Sequence, residues 1–134
     1  MPRGYVWMPT NIPPKCKLSK WQKESLQAEA DQFVAAFYKP TIQPAPKARL
    51  GNYIVDFSTK WHGAYLQFIA RYACPSPNAL SPFFEIAFAR LGYFAPDRWN
   101  IWVRRHNDQW MVMGGGMTLA ECLEEMRSNP WFHH

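Results

Sequence analysis

The sequence predicts an α+β fold: an N-terminal helix, an antiparallel meander of about five strands, and a short C-terminal helix. Three observations carry this. A helical apolar stripe follows Ser19, the apolar period changes to two after Leu50, and a helical stripe returns after Thr118. Strands grouped together between helices, rather than alternating with them, are the pattern of an antiparallel sheet.

The first helix opens at Ser19, which with Gln22 has the S-x-x-Q spacing of a capping box, each side chain satisfying a free backbone donor. Leu26, Ala30, Phe33, Val34 and Phe37 then recur at three- and four-residue steps. Pro40 ends the helix, and Pro40, Pro44 and Pro46 make a stiff connector. In the first strand Tyr53, Val55 and Phe57 alternate with Asp56 and Ser58. A turn is expected over residues 60–63. The second strand puts Leu66, Phe68 and Ala70 on one face and Tyr65, Gln67, Ile69 and Arg71 on the other. Pro75, Ser76, Pro77, Asn78 and Pro82 mark a loop. The third strand, residues 83–93, has Phe84, Ile86 and Phe88 as its apolar set, and the turn at 95–98 leads to a fourth strand over 99–105.

The last hairpin turns at Asn107 and Asp108. A loop of two or four residues sets Arg105 opposite Trp110 and Val103 opposite Val112. Ile101, Val103, Trp110 and Val112 then share the core face, with Trp102, Arg104, Met111 and Met113 on the other; a three-residue loop would break this assignment. Gly114, Gly115 and Gly116 interrupt the strand. Thr118 and Glu121 form a second capping box, and Leu119, Cys122, Leu123 and Met126 give the stripe of the closing helix. Asn129 and Pro130 stop it, and Trp131 and Phe132 fold back onto the core. Residues 1–18 hold four prolines and read as an extended basic arm; residues 19–132 read as one α+β domain.

Composition narrows the function. Apolar residues make up 48% and aromatics 16%, with seven Trp, so a core is available without disulfides or metal. The three cysteines, Cys16, Cys74 and Cys122, are scattered and odd in number, which points to a reducing compartment. No leader-like or membrane-length apolar run is present, so a cytoplasmic protein away from membranes is expected. The net charge of +5 is confined: residues 1–49 carry eight Lys or Arg against three acids, and residues 50–134 carry seven of each. A basic arm on a neutral domain is therefore expected, not a basic sheet.

No catalytic constellation stands out. The glycine run lacks the Lys and spacing of a phosphate loop and reads as a connector, a weak anion site at most. His62, His106, His133 and His134 have no metal-ligand spacing. Cys122 lies on an apolar stripe, Cys74 has no activating neighbour in sequence, and Glu121, Glu124 and Glu125 suit a helix start. Neither metal nor cofactor is expected. The surface singled out is the second sheet face, with Tyr65, Ile69, Arg71, Trp102, Arg104, Met111 and Met113. It reads in three ways: a second core layer under a helix, a protein interface that includes self-association, or a nucleic-acid surface. The leading expectation is a non-enzymatic binding module that uses Tyr65, Arg71, Trp102, Arg104, Met111 and Met113 on a protein partner or a second copy. The alternative is single-stranded DNA or RNA binding, with Arg3, Lys15, Lys17, Lys20 and Lys23 on phosphates and Trp102 and Arg104 on bases; an enzyme with a spatially assembled site stands third.

The order of features also resembles a family. The helix, the Pro40 break and the Tyr53 strand precede W-x-I-W-x-R at residues 99–104. The R-x-x-D-Q-W of Arg105, Asp108, Gln109 and Trp110 follows, then a short helix and N-P-W-F at 129–132. This resembles a bacterial family of uncharacterised proteins, domain of unknown function 3024, whose members share a W-x-L-Y…R-x-x-K-W strand pair and a closing helix ending in an aromatic. Gln109 stands where the family usually has a basic residue. The resemblance implies the same fold and marks Trp99 and Trp110 as shared hairpin residues; it implies no activity.

Overall fold

In a computed structural model, which describes residues 18–43, 51–76, 78–105 and 107–133, two helices lie on one face of a five-stranded antiparallel sheet. Helix α1 spans Lys20–Phe33 and continues as a π-helical turn, Val34–Tyr38, and a 3-10 turn, Lys39–Thr41. The strands are β1 (Tyr53–His62), β2 (Tyr65–Ala73), β3 (Phe83–Ala95), β4 (Arg98–Arg104) and β5 (Trp110–Met117), paired in the order β1-β2-β3-β4-β5. Helix α2 (Leu119–Ser128) and a 3-10 turn, Pro130–Phe132, close the described chain. The α+β arrangement is as expected, and so are both capping boxes, Ser19 with Gln22 and Thr118 with Glu121.

The alternation in β2 and its neighbours makes the core face. Leu66 lies opposite Leu91, which lies opposite Ile101, and Phe68, Ala89 and Val103 form the next row. All six are buried, and they pack with Ala30 and Val34 of α1 and with Leu119, Cys122 and Met126 of α2. Burying a side chain of this size is worth roughly 1.5–3 kcal/mol. Polar bonds orient α1 on β1: Gln27 donates to the Thr59 carbonyl at 3.0 Å, Thr59 donates its hydroxyl to Asp31, and the Trp61 indole donates to the Lys23 carbonyl at 3.0 Å.

The helical stripe was incomplete at its end. The π-turn adds a residue to the last turns of the helix, so Tyr38 reaches the core as fully as Val34, while Phe37 is only part-buried. The Tyr38 ring sits 5.1 Å from Phe57 and 5.2 Å from Phe88, and its hydroxyl donates to the Phe132 carbonyl at 2.8 Å. Burial pushes its phenol up, so it stays a protonated donor. Phe132 is buried as expected, whereas Trp131 remains exposed.

Other boundaries move for local reasons. Strand β1 runs on to His62, because the turn falls at Gly63 with φ +62. The glycine run does not interrupt β5, which continues through it to Met117 with shifts in register. The left-handed φ of +64 favours glycine at Gly116, and a Cβ at Gly114 would need the Met117 side chain to move from 2.7 Å away. Arg3, Lys15, Lys17, Cys16, Pro44, Pro46, Pro77, His106 and His134 lie outside the described residues.

Two predictions follow from this packing. Tyr38→Phe keeps the ring but leaves the Phe132 carbonyl without its donor, and is expected to cost about 1–3 kcal/mol in urea unfolding; wild-type stability would show that the clasp contributes nothing. Burial, reinforced by the carboxylates of Glu121, Asp97 and Glu125, pushes the Cys122 thiol up to about 12. Cys122 should therefore stay unmodified by a thiol reagent in the native protein at mildly alkaline pH and react once the chain is unfolded, as read by peptide mass mapping.

Candidate binding face

Among the described residues no helix lies on the second sheet face, and two changes of side-chain parity decide what stands on it. The first is a bulge in β3. Phe68 pairs with Ala89 and Ile69 with Ala87, so Phe88 is an extra residue between them. Strict alternation from Phe84, Ile86 and Phe88 would put Arg90 on the core face. The bulge sends Ala89 and Leu91 to the core and turns Arg90 to the other side.

The second change is the β4–β5 loop. Arg105 N–H donates to the Gln109 carbonyl at 2.8 Å, so the pairing closes with an odd-numbered register, with Asp108 in the left-handed region at φ +64. Arg104 therefore faces Trp110, Val103 faces Met111, and Trp102 faces Val112. This corrects the expected register. Trp110 and Val112 stand on the open face with Trp102 and Arg104, while Met111 and Met113 pack against the core instead.

Together these shifts build a cluster around Arg90. Its guanidinium carbon lies 4.4 Å from the Tyr65 ring centroid, 4.8 Å from that of Trp102 and 4.5 Å from that of Trp110. Tyr65 meets Trp102 edge to face at 5.6 Å, and Arg104 lies 5.8 Å from the Trp110 ring. Trp102, although under no helix, is only 1% exposed, because its neighbours on adjacent strands cover it. Burial draws the Arg90 guanidinium below its ordinary value and the Tyr65 hydroxyl partly offsets this, yet an arginine remains a cation.

The cluster is short of acceptors. Arg90 Nε, Trp102 Nε1 and Arg104 Nε are buried without a hydrogen-bond partner among the described residues. Arg90 forms no ion pair with a described carboxylate. Arg104 Nε lies 3.5 Å from an oxygen of Asp108 without hydrogen-bond geometry, and such an exposed pair is worth little. Each unmet buried donor costs about 1–3 kcal/mol, and these three lie in one patch.

The remaining expected site residues are dispersed. Arg71 shares the open face but belongs to another group, 3.7 Å from Glu85 and 4.6 Å over the Phe83 ring. Lys23 is engaged locally, donating to the Gly63 carbonyl at 3.0 Å and lying 5.4 Å over Trp61, while Lys20 is exposed. Trp102 is too covered to stack on a base. Arg90 was overlooked in the sequence, because the bulge that exposes it leaves no mark in the alternation. Among the described residues no group of three or more His, Cys, Asp or Glu gathers as a metal set, and no helix is long and apolar enough to cross a membrane.

The family model described as Domain of unknown function (DUF3024) matches residues 18–134. The chain belongs to this family. No curated protein and no solved structure matches it. The two tryptophans marked by the resemblance have opposite placements in this DUF3024 chain. Trp99 is buried in the core against Tyr93, with ring centroids 5.0 Å apart, and Trp110 lies against Arg90 on the open face.

The register gives a direct test. Met111→Glu, which puts a carboxylate against the core, should destabilise by more than about 2 kcal/mol, whereas Val112→Glu should cost less than about 1 kcal/mol. The opposite order in thermal or urea unfolding would restore an even-numbered loop.

Proposed function

We propose that this chain is a binding module whose open sheet face docks an acidic segment of a partner protein, with Arg90 and Arg104 receiving its carboxylates. The observation that carries the reading is the Arg90 cluster: a guanidinium held by three rings, with three unmet donors and no described carboxylate paired to Arg90. Rings and neighbours fix the side chain beforehand, so little rotamer entropy is lost when an anion arrives. Tyr, Trp and Arg are also the residues that dominate protein interfaces.

The same face argues against the other partners. Two copies meeting with their Arg90 clusters on the two-fold axis would bring like charges together. A nucleic-acid strand needs a track of cations and free ring faces, and here Arg90 occupies the rings and Trp102 is covered. The separated thiols fit a role in the reducing cytoplasm.

The experiment is a titration with an arrayed set of acidic, neutral and basic peptides, repeated with Arg90→Ala and with single-stranded DNA. Acidic peptides are expected to bind best, with affinity falling roughly tenfold or more in Arg90→Ala while the circular dichroism spectrum is retained. Equal binding of neutral peptides, or unchanged binding by the variant, sinks the reading. Salt-dependent binding of DNA with no peptide preference would replace it with the nucleic-acid alternative.

A further inference from the structure

A concavity lies on the opposite side of the sheet from Arg90, where the start of α1 meets the start of α2 over the β3–β4 turn. It is an open groove of about 500 Å³, within the range of small-molecule sites. Trp21 is the exposed ring of its lining, with Tyr93 and Trp99 buried behind it, and Glu29 and Asp97 are its acids. Among the described residues no Lys, Arg or His lines it. On a chain with a net charge of +5, this groove is acidic and aromatic.

We infer that this groove binds a small organic cation with an apolar body, a free amine or quaternary ammonium. The attraction has two sources. The faces of Trp and Tyr rings carry negative quadrupole charge that favours a cation, most strongly for Trp. The carboxylates of Glu29 and Asp97 supply the counter-charge from two different elements, α1 and the β3–β4 turn. Asp97 is held in place, because one of its oxygens accepts from the Leu119 N–H at 3.0 Å while its backbone sits at φ +50.

One further feature points to a ligand. Trp21 is 74% exposed on the groove, although a ring of that size is normally buried or engaged. The groove sits between two helix starts whose capping boxes are already closed by Gln22 and Glu121. With those donors occupied, the helix ends offer little to an anion, and the acids of the lining decide the sign of the ligand.

The test uses benzyltrimethylammonium as the cationic probe, with 2-phenylethanol as a neutral and 3-phenylpropionate as an anionic comparison. Binding is followed by the indole N–H signals of Trp21 and Trp99 in NMR and by calorimetry. The quaternary ammonium should give saturable shifts at both indoles, the neutral probe should bind several-fold more weakly, and the anion should not bind. Trp21→Ala, at an exposed helical position, should retain the fold and weaken the cation roughly tenfold. Glu29→Gln should weaken it a few-fold at low salt and less at high salt. Arg90→Ala should leave it unchanged, which keeps this result separate from the sheet-face reading. Absence of saturable shifts, equal affinity for the anion, or an unaltered affinity in Trp21→Ala overturns the inference. So does tight binding of a lysine-rich peptide with none of the small cation, which would make the groove a protein-docking site.

Discussion

Tyr38 ties together parts of the chain that would otherwise meet only through general apolar contact. Its ring fills the space between Phe57 and Phe88, and its hydroxyl holds the carbonyl of Phe132, near the end of the chain. The π-turn before it makes this reach geometrically available. With the end of α1 and the final turn fastened together, both helices lie over the same side of the sheet. Everything on the other side follows from that one-sidedness.

A sheet face without a helix must be covered from within or left wet. Here it is covered from within at one point. Arg90 lies over Trp102, with Tyr65 and Trp110 at its flanks, so the largest ring on that face is withdrawn from water by neighbours on adjacent strands. The long arginine stem is suited to this, since it can lie along apolar surface while its head stays polar. The arrangement leaves donors unmet, and places where local satisfaction is incomplete are where function is to be sought.

The fold was legible because periodicity and caps act locally. Ser19 with Gln22 and Thr118 with Glu121 are readable from spacing alone, and the two faces of β2 follow from simple alternation. The candidate face was legible only in part. Tyr65, Trp102 and Arg104 were placed there correctly, yet Met111 and Met113 exchanged sides with Trp110 and Val112. A single extra residue reverses every side chain beyond it, and neither Phe88 nor Asp108 announces such a reversal in its residue type. Arg90 was hidden for the same reason. The groove at Trp21 was invisible because it joins residues far apart in sequence across two helix starts.

The strand order has a consequence for how the protein reaches its folded state. Each strand pairs with its neighbour in the chain, so the sheet can grow hairpin by hairpin with only short loops to close. The long closure, between Tyr38 and Phe132, spans almost the whole of the described chain and carries the larger entropy cost. The sheet is thus able to zip early and the two ends to lock late. The Arg90 side needs neither helix for its assembly, since its rings and guanidinium come from β2, β3, β4 and β5 alone.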